Sequence, residues 1–340
     1  MEPRGYQEHP ALVSIVILNW NGLPDIVRCA SCVSQQDYSR IEVIVVDNGS
    51  RDGSLEALRA EFPQFVTIEN GSNLGFARGM NIGIAASKGE YILPLNQDAF
   101  LDPRFVSSAA EAMSRDSTIG AASGTVLACE QFELEDDSCP NLGDAEAGYL
   151  LRRHIRGVAA RPTQDAQGAQ YVFGPSGCCP FFRRSMLEDI KLSADEYFDE
   201  SYVTGGEDID LYFRMQLRGW RCRHVSTAIA WHVGSGSVGG KRKLVEKPLW
   251  YQRNWLRNRY LTIIGDIPLG AIFRLAPYIL LAEALFWPYY LLKSPRTLIA
   301  LVWAWWDMIR MLPATLHKRR RVQSTRRIQM PDLMDFFIKP

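Results

Sequence analysis

Apolar and polar positions alternate in blocks through the first hundred residues. Continuous apolar runs, β-branched in part, occupy 12–18, 41–46, 65–68 and 91–95. Runs this short and unbroken predict strands buried on both faces of a parallel sheet. Between them, 25–35, 55–61 and the stretch reaching Ser87 carry helical spacing; the first helix sets Ile26, Val27, Ala30 and Val33 on one side. Asp52 or Ser54 is placed to cap the second helix. Each strand runs out into a polar loop: Asn19-Trp20-Asn21-Gly22, Asp47 to Ser54, Glu69 to Asn81, and Asn96-Gln97-Asp98. Alternation of this kind predicts a doubly wound α/β sheet. In such a sheet the loops after the strands share one edge and face one crevice. Trp20, Asn21, Asp47, Asn73 and Asp98 are therefore expected as neighbours in space.

Further along, the pattern predicts a helix over 103–115 and a strand over 119–126. It fails from 129 to 168, a charged stretch with Glu133, Asp136, Arg152 and Arg156. That stretch reads either as an insertion with a hairpin or two that shapes a substrate pocket, or as a solvated loop. Small residues at 174–180 lead into a short strand and a helix over 185–190. Gly205-Gly206 then opens a helix that starts at Glu207-Asp208 and stops at Gly219. A strand over 222–230 ends at Trp231-His232.

Composition changes little of this. Of 340 residues 47% are hydrophobic and 22% charged, a globular balance, and 38 basic residues match 38 acidic ones. No Gly-x-Gly-x-x-Gly or Walker loop is present, which disfavours dinucleotide and P-loop chemistry. Seven cysteines are too sparse for a disulfide scaffold. Cys29 and Cys32 have no second pair to complete a zinc site and are expected as small buried thiols in a cytosolic setting. The N-terminal residues show no signal-peptide pattern. Near the other end, 269–292 and 298–312 are apolar but interrupted by Arg274, Glu283, Asp307 and Arg310, and Lys318 to Arg321 follow. They read as amphipathic helices in a membrane interface with a basic tail drawn to anionic lipid, or as a soluble helical subdomain. No aromatic–basic platform supports nucleic-acid binding.

Three positions invite chemistry. Asp98, delivered to a strand's end, is either a turn cap or a carboxylate able to hold a divalent cation. Asp208 at a helix start is either a dipole partner or a general base. His232 is either a core histidine, a metal ligand or a phosphate donor.

Together the segments Val13–Gly22, Val46-Asp47-Asn48-Gly49-Ser50, Asn73-Leu74-Gly75-Phe76-Ala77, Leu95-Asn96-Gln97-Asp98 and Gly206-Glu207-Asp208-Ile209-Asp210 resemble the family 2 glycosyltransferases of GT-A fold. The bacterial rhamnosyltransferase-like branch is the most similar. The resemblance runs from residue 12 to about 260. It implies an α/β fold with a mostly parallel, helix-flanked sheet and C-terminal amphipathic helices. It implies an inverting transfer from a nucleotide-diphosphate sugar, dTDP-rhamnose foremost, to a hydroxyl of a polyprenyl-linked or polysaccharide acceptor. The residues that match the family's motifs carry implied roles. Asp47 would bind the base. Asn19, Trp20 and Asn21 would line the nucleoside. Asn73, Gly75, Phe76, Arg78 and Asn81 would form the diphosphate loop, with Asn96 and Gln97 beside the donor. Asp98 and His232 would hold Mg2+ or Mn2+. Asp208 would be the base, with Glu207 and Arg257 in support. One position departs from the motif: Asn96 stands where the first acid of Asp-x-Asp is expected, which removes a charge from the cation site. That loss alone supports the alternative of a non-catalytic nucleotide-sugar or lipid-binding module.

The expected division is a catalytic domain over 1–260, with its nucleotide half at 1–127 and acceptor half at 128–260, and a membrane-associating region over 261–340. The expected location is cytoplasmic, peripheral on the inner face of the cell membrane.

Overall fold

The computed structural model describes residues 10–129, 163–164, 169–233 and 244–329. The expected pocket-shaping hairpins of 129–168 lie almost wholly outside these residues. Four parallel strands make the first half of the sheet: β1 Val13–Asn19, β2 Ile41–Asp47, β3 Val66–Glu69 and β4 Tyr91–Asn96, in the order β3-β2-β1-β4. Helices α1 Asp25–Ser34, α2 Ser54–Glu61 and α3 Phe76–Ala86 connect them. Period-two alternation explains why the strand sequences are apolar throughout. Val16, Ile44, Val46 and Ile92 pack with Ala77, Met80 and Ile84 of α3. Val13, Ile15, Ile17, Val45 and Leu93 point the other way and pack with Ile26, Cys29, Ala30 and Val33 of α1. Cys29 and Cys32 are buried free thiols, as are the other described cysteines.

The second half is mixed. After β5 Ala99–Leu101 come α4 Phe105–Ser114, β6 Ile119–Ala128, β7 Thr163–Gln164, β8 Gln170–Val172, β9 Phe181–Arg183, α5 Arg184–Ile190, α6 Glu207–Leu217 and β10 Arg221–His232. β9 inserts antiparallel between β4 and β6, and β10 runs parallel to β6. The three-residue β5 was not apparent in the pattern of the sequence. It pairs antiparallel with the end of β10 and sets Ala99 opposite His232. That register brings the loop after β4 and the end of β10 together, although they are more than a hundred residues apart.

Three long helices follow among the described residues: α7 Leu249–Gly265, α8 Leu269–Lys293 and α9 Thr297–Ser324. α9 lies along α7, and residue 260 falls inside α7. α9 also continues through Pro313 and the basic run, well past the expected end at 312. Here the lipid role expected for that run needs correction. Lys318 Nζ bonds Asp199 at 2.8 Å and also Asp210, both buried in the catalytic half. Arg319 donates to the carbonyls of Ile264 and Ile267 at 2.6 and 2.8 Å. Arg321 donates to the carbonyls of Lys191 and Leu192. Buried acids and orphan carbonyls attract these cations more strongly than a solvated surface can, so three of the four fasten α9 to the protein. Many apolar residues of α8 and α9 stay outside: Phe273 is 76% exposed, Leu292 84% and Trp306 59%. Leu269–Tyr290 is 22 residues long with mean hydropathy 1.6, enough in length and composition to cross a membrane.

Candidate active site

The donor edge is built by loops that satisfy one another. Asp47 ends β2 opposite Asn19 at the end of β1. Its Oδ1 accepts from Asn19 Nδ2 at 2.8 Å and Ser50 Oγ at 2.6 Å; its Oδ2 accepts from the backbone of Gly49 and Ser50 at 3.0 and 2.9 Å. Asn19 is fully buried and also donates to Ser54 Oγ at 2.9 Å. Its place is behind Asp47, orienting it, rather than on the crevice wall. Trp20 is 39% exposed at the rim. Gln97 clamps the Trp20 backbone, accepting its N–H at 2.8 Å and donating to its carbonyl at 3.3 Å. Asn21 donates its N–H to Ser50 Oγ at 2.9 Å and accepts from Arg51 N at 2.8 Å. Gly53 caps α2 with no side-chain bond, while Asp52 accepts from the Ser54 and Leu23 N–H groups.

The third loop joins through Asn48, whose Nδ2 reaches Gly75 O at 3.0 Å and Asn73 Oδ1 at 3.4 Å. Asn73 Oδ1 also accepts from Gly75 N at 2.9 Å. Phe76 N donates to Val203 O at 2.9 Å, and its ring meets Phe198 edge-on. Arg78 sits 3.8 Å from Glu200. Asn81 is 2% exposed, and both ends of its amide are taken by the Tyr197, Phe198 and Glu200 segment. It ties α3 to that segment and has no face toward a donor, which corrects its implied role in the diphosphate loop.

The fourth loop carries the cation candidates. Asp98 Oδ1 is 3.2 Å from His232 Nε2. Burial disfavours the charged imidazole, but the Cys178 sulfur and the Asp98 carboxylate overcome this and raise its pKa above the histidine range. Asn96 is held through its backbone: its N–H donates to Cys178 O at 2.9 Å, and its carbonyl accepts from Cys29 Sγ at 3.6 Å. No group of three or more His, Cys, Asp or Glu with the spacing of a metal cage occurs among the described residues. The Asp98 oxygen, with the His232 nitrogen once an incoming cation displaces the imidazolium proton, suits Mg2+ or Mn2+ when phosphate oxygens complete the shell. The residues therefore fit a cation that arrives with a diphosphate.

Asp208 stands at the start of α6. The two glycines before it take φ of +82° and +97°, a conformation that side chains resist. Gly177 leaves the carboxylate its room, since a Cβ there would come within 2.7 Å of Asp208 Oδ2. Burial pushes the Asp208 pKa up to about 6 against the opposing Ile209 N–H. Burial and then the charge of Asp208 push Glu207 up to about 8. At neutral pH the pair thus holds one ionised and one protonated carboxyl, the separation of roles that acid–base sites use.

The segment before Asp208 is strained and heavily held. Val203 has φ +62° and ψ −60°, and Thr204 N donates to Tyr202 O at 2.6 Å, a γ-turn of the rare positive-φ kind. Asn258, fully buried on α7, donates to the carbonyls of Tyr202, Thr204 and Gly205 at 2.9, 3.0 and 2.6 Å. Arg257 donates to the carbonyls of Ser201 and Tyr202, both at 3.1 Å. Arg257 is thereby a support for the loop before Asp208. Asn258, Gly177, Cys178 and Lys318 have parts in this arrangement that no local sequence signal gave away; Arg257, next to Asn258, was marked by the family resemblance.

A GT-A arrangement of this kind defines a class, sugar-nucleotide transferases with a mixed α/β sheet. The Glycosyl transferase family 2 pattern matches residues 14–191, just over half of the chain. The protein belongs to that family. It is similar to poly-beta-1,6-N-acetyl-D-glucosamine synthase of Staphylococcus aureus (strain COL), 24% identical over 257 residues, 75% of this chain and 56% of the relative. The Staphylococcus epidermidis synthase is likewise 24% identical, over 80% of this chain and 60% of its own length. The chain thus spans little more than half the length of the curated relatives it matches. Among solved structures, the mannosyltransferase PcManGT of Pyrobaculum calidifontis, in complex with GDP-Man and Mn2+, is 18% identical with a TM-score of 0.54, covering 94% of this chain and 84% of that one. GalNAc-T7 with UDP, GalNAc and Mn2+ is 16% identical with a TM-score of 0.52, covering 80% and 54%. These likenesses establish the fold.

Proposed function

We propose that the protein is an inverting glycosyltransferase that moves a sugar from a nucleoside-diphosphate donor to an acceptor hydroxyl at a membrane surface. The observation that carries this reading is Asp208: a half-buried carboxylate in the space left by Gly177, joined through Val203 to the donor loop at Phe76. Asp208 takes the proton of the acceptor hydroxyl as its oxygen bonds the anomeric carbon and the bond to the diphosphate breaks. A single attack from the face opposite the leaving group inverts that carbon. Burial and the Asp208 charge favour the neutral form of Glu207, so no second charge drives a proton onto Asp208 and it stays able to accept one. Asp98 and His232 would hold Mg2+ or Mn2+. That cation, when bound, neutralises charge on the departing diphosphate. Asp47, held rigid by Asn19 and Ser50, offers its carboxylate edge to the nucleoside. Trp20, clamped by Gln97, supplies a ring at the rim.

The names of the relatives favour N-acetylglucosamine as a donor sugar to set beside rhamnose, and a polysaccharide as acceptor. The exposed apolar residues of α8 and α9 support a peripheral position on the inner face of the membrane. The test is nucleoside-diphosphate release and thermal shift with purified protein, Mn2+ and a panel of UDP-, GDP- and dTDP-sugars. One donor is expected to be hydrolysed slowly and to raise Tm by mass action. No shift and no release across the panel would remove the donor-binding reading.

A further inference from the structure

The apolar helices α8 and α9 hold one acidic residue each, and both acids are turned inward. Glu283 of α8 pairs with Arg259 of α7 and accepts from Tyr260 Oη at 3.0 Å and Trp287 Nε1 at 2.7 Å. Asp307 of α9 accepts from Arg253 of α7, from Nε at 2.5 Å and from Nη2 at 2.7 Å. What the two helices turn outward therefore carries no negative charge. Val302, Trp303, Trp306 and Ile309 of α9 are exposed. So are Lys293 and Arg296, where α8 passes into α9, and Arg310, one turn beyond Trp306. Aliphatic and Trp side chains accompanied by cations match the interface of an anionic bilayer.

The same helix is two contacts away from the segment that leads to Asp208. The Arg253 guanidinium lies 5.8 Å from the Trp303 ring centroid. Asp307 Oδ2 is also 4.0 Å from Arg257 Nη1. Arg257 in turn holds the carbonyls of Ser201 and Tyr202, and Asn258 beside it holds those of Thr204 and Gly205. Further along α9, Lys318 bonds Asp199 and Asp210, one on each side of the Val203 turn and Asp208. α9 thus reaches the middle of this segment through α7 and both of its ends directly, while its other face is bare apolar surface. Undocked, α9 would bring Asp307 to an anionic surface and leave the buried Asp199 and Asp210 without Lys318. Docked, it offers a bilayer the apolar face with its cations. A bilayer therefore binds the docked helix better, and such a difference in affinity is what shifts a population.

We propose that the outward face of α9 is a docking surface for an anionic bilayer, and that docking, through Asp307, Arg257 and Lys318, orders the segment from Asp199 to Asp210 that presents Asp208. The inference deepens the membrane-surface reading given above and rests on it. Membrane contact then regulates the site as well as locating the protein.

The test adds vesicles of dioleoyl phosphatidylglycerol and dioleoyl phosphatidylcholine to the full chain and follows amide hydrogen exchange. The N–H groups of Ser201 to Thr204 are all hydrogen-bonded inside their own turn, so their exchange reports its order. Vesicles are expected to slow them about tenfold, while the Gly49 and Ser50 N–H groups of the donor edge change less than about twofold. Trp306→Gln, on the outward face, is expected to weaken vesicle binding about tenfold in a sedimentation assay, with exchange in plain buffer as in wild type. Asp307→Asn is expected to keep vesicle binding and lose the slowing. Exchange needs neither donor nor acceptor, so the result stands apart from any transfer assay. Vesicle binding with no change at Ser201 to Thr204, or with equal slowing at Gly49 and Ser50, overturns the coupling and leaves the membrane reading standing. Slowing that survives Asp307→Asn overturns the route through Arg257, and equal slowing by phosphatidylcholine alone overturns the anionic requirement. A chain that does not sediment with either vesicle overturns both readings.

Discussion

The donor edge and the base loop are held by opposite means. At the donor edge, Asn19, Asp47, Ser50, Asn48 and Asn73 bond one another across three loops, each following its own parallel strand. The base loop cannot hold itself. Its γ-turn at Val203 is strained, and its carbonyls are satisfied by Asn258 and Arg257 on α7, while Lys318 of α9 reaches the buried Asp210 one turn into α6. One side is a self-supporting cradle; the other is assembled by helices that also carry the apolar surface. This difference makes α7 and α9 part of the catalytic unit rather than a detachable anchor.

The comparison can be broken most strongly at the base loop. Lys318→Met removes the cation shared by Asp199 and Asp210 and is expected to destabilise the fold by about 3–5 kcal/mol, seen as a lower urea midpoint. A neutral result would show that α9 is merely appended. Asn258→Ala takes the side-chain donor from the carbonyls of Thr204 and Gly205, while Tyr202 keeps Thr204 N–H and Arg257, and is expected to cost about 3 kcal/mol, with a larger fall in kcat than in donor affinity. An equal loss of donor binding would put Asn258 at the donor edge instead. Asn19→Ala removes one of the two side-chain donors to Asp47 Oδ1, leaving Ser50 Oγ, and should weaken nucleotide binding about tenfold with kcat nearly kept, read by titration calorimetry. The smallest effect concerns pH. Glu207 and Asp208 titrate higher in the fold than unfolded, so between about pH 4 and 8 the folded state holds the extra protons. Stability contributed by this pair is therefore present at low pH and lost as pH rises through that window, and Tm of Glu207→Gln should depend less on pH than wild type. Transfer runs the other way and should fade below pH about 6, as Asp208 gains its proton.

Much of the donor side was legible because its signals are local. An unbroken run such as 12–18 announces a strand buried on both faces, and a polar loop after each such strand announces the edge. The helix from Glu207 and the placement of Asp208 at its start were legible for the same reason. What stayed hidden depends on contacts across the chain. The three-residue β5 is too short to show a period, yet its pairing with β10 is what sets Asp98 beside His232. Asn81 carries the look of a binding residue because it sits in a glycine-rich loop, while its amide is consumed by a segment over a hundred residues away. The run Lys318 to Arg321 looks like a lipid contact by composition, because nothing local reveals the buried acids and carbonyls that take up three of its charges.

The central claim is that Asp208 is the base of a transferase whose donor site stands independently of it. Sugar transfer by Asp208→Asn, measured beside nucleoside-diphosphate binding and Tm, tests it most directly. The predicted result is a loss of about a hundredfold or more in kcat, with nucleotide binding kept and Tm equal or higher, because a buried charge is gone. Transfer at the wild-type rate by the folded variant would contradict the account.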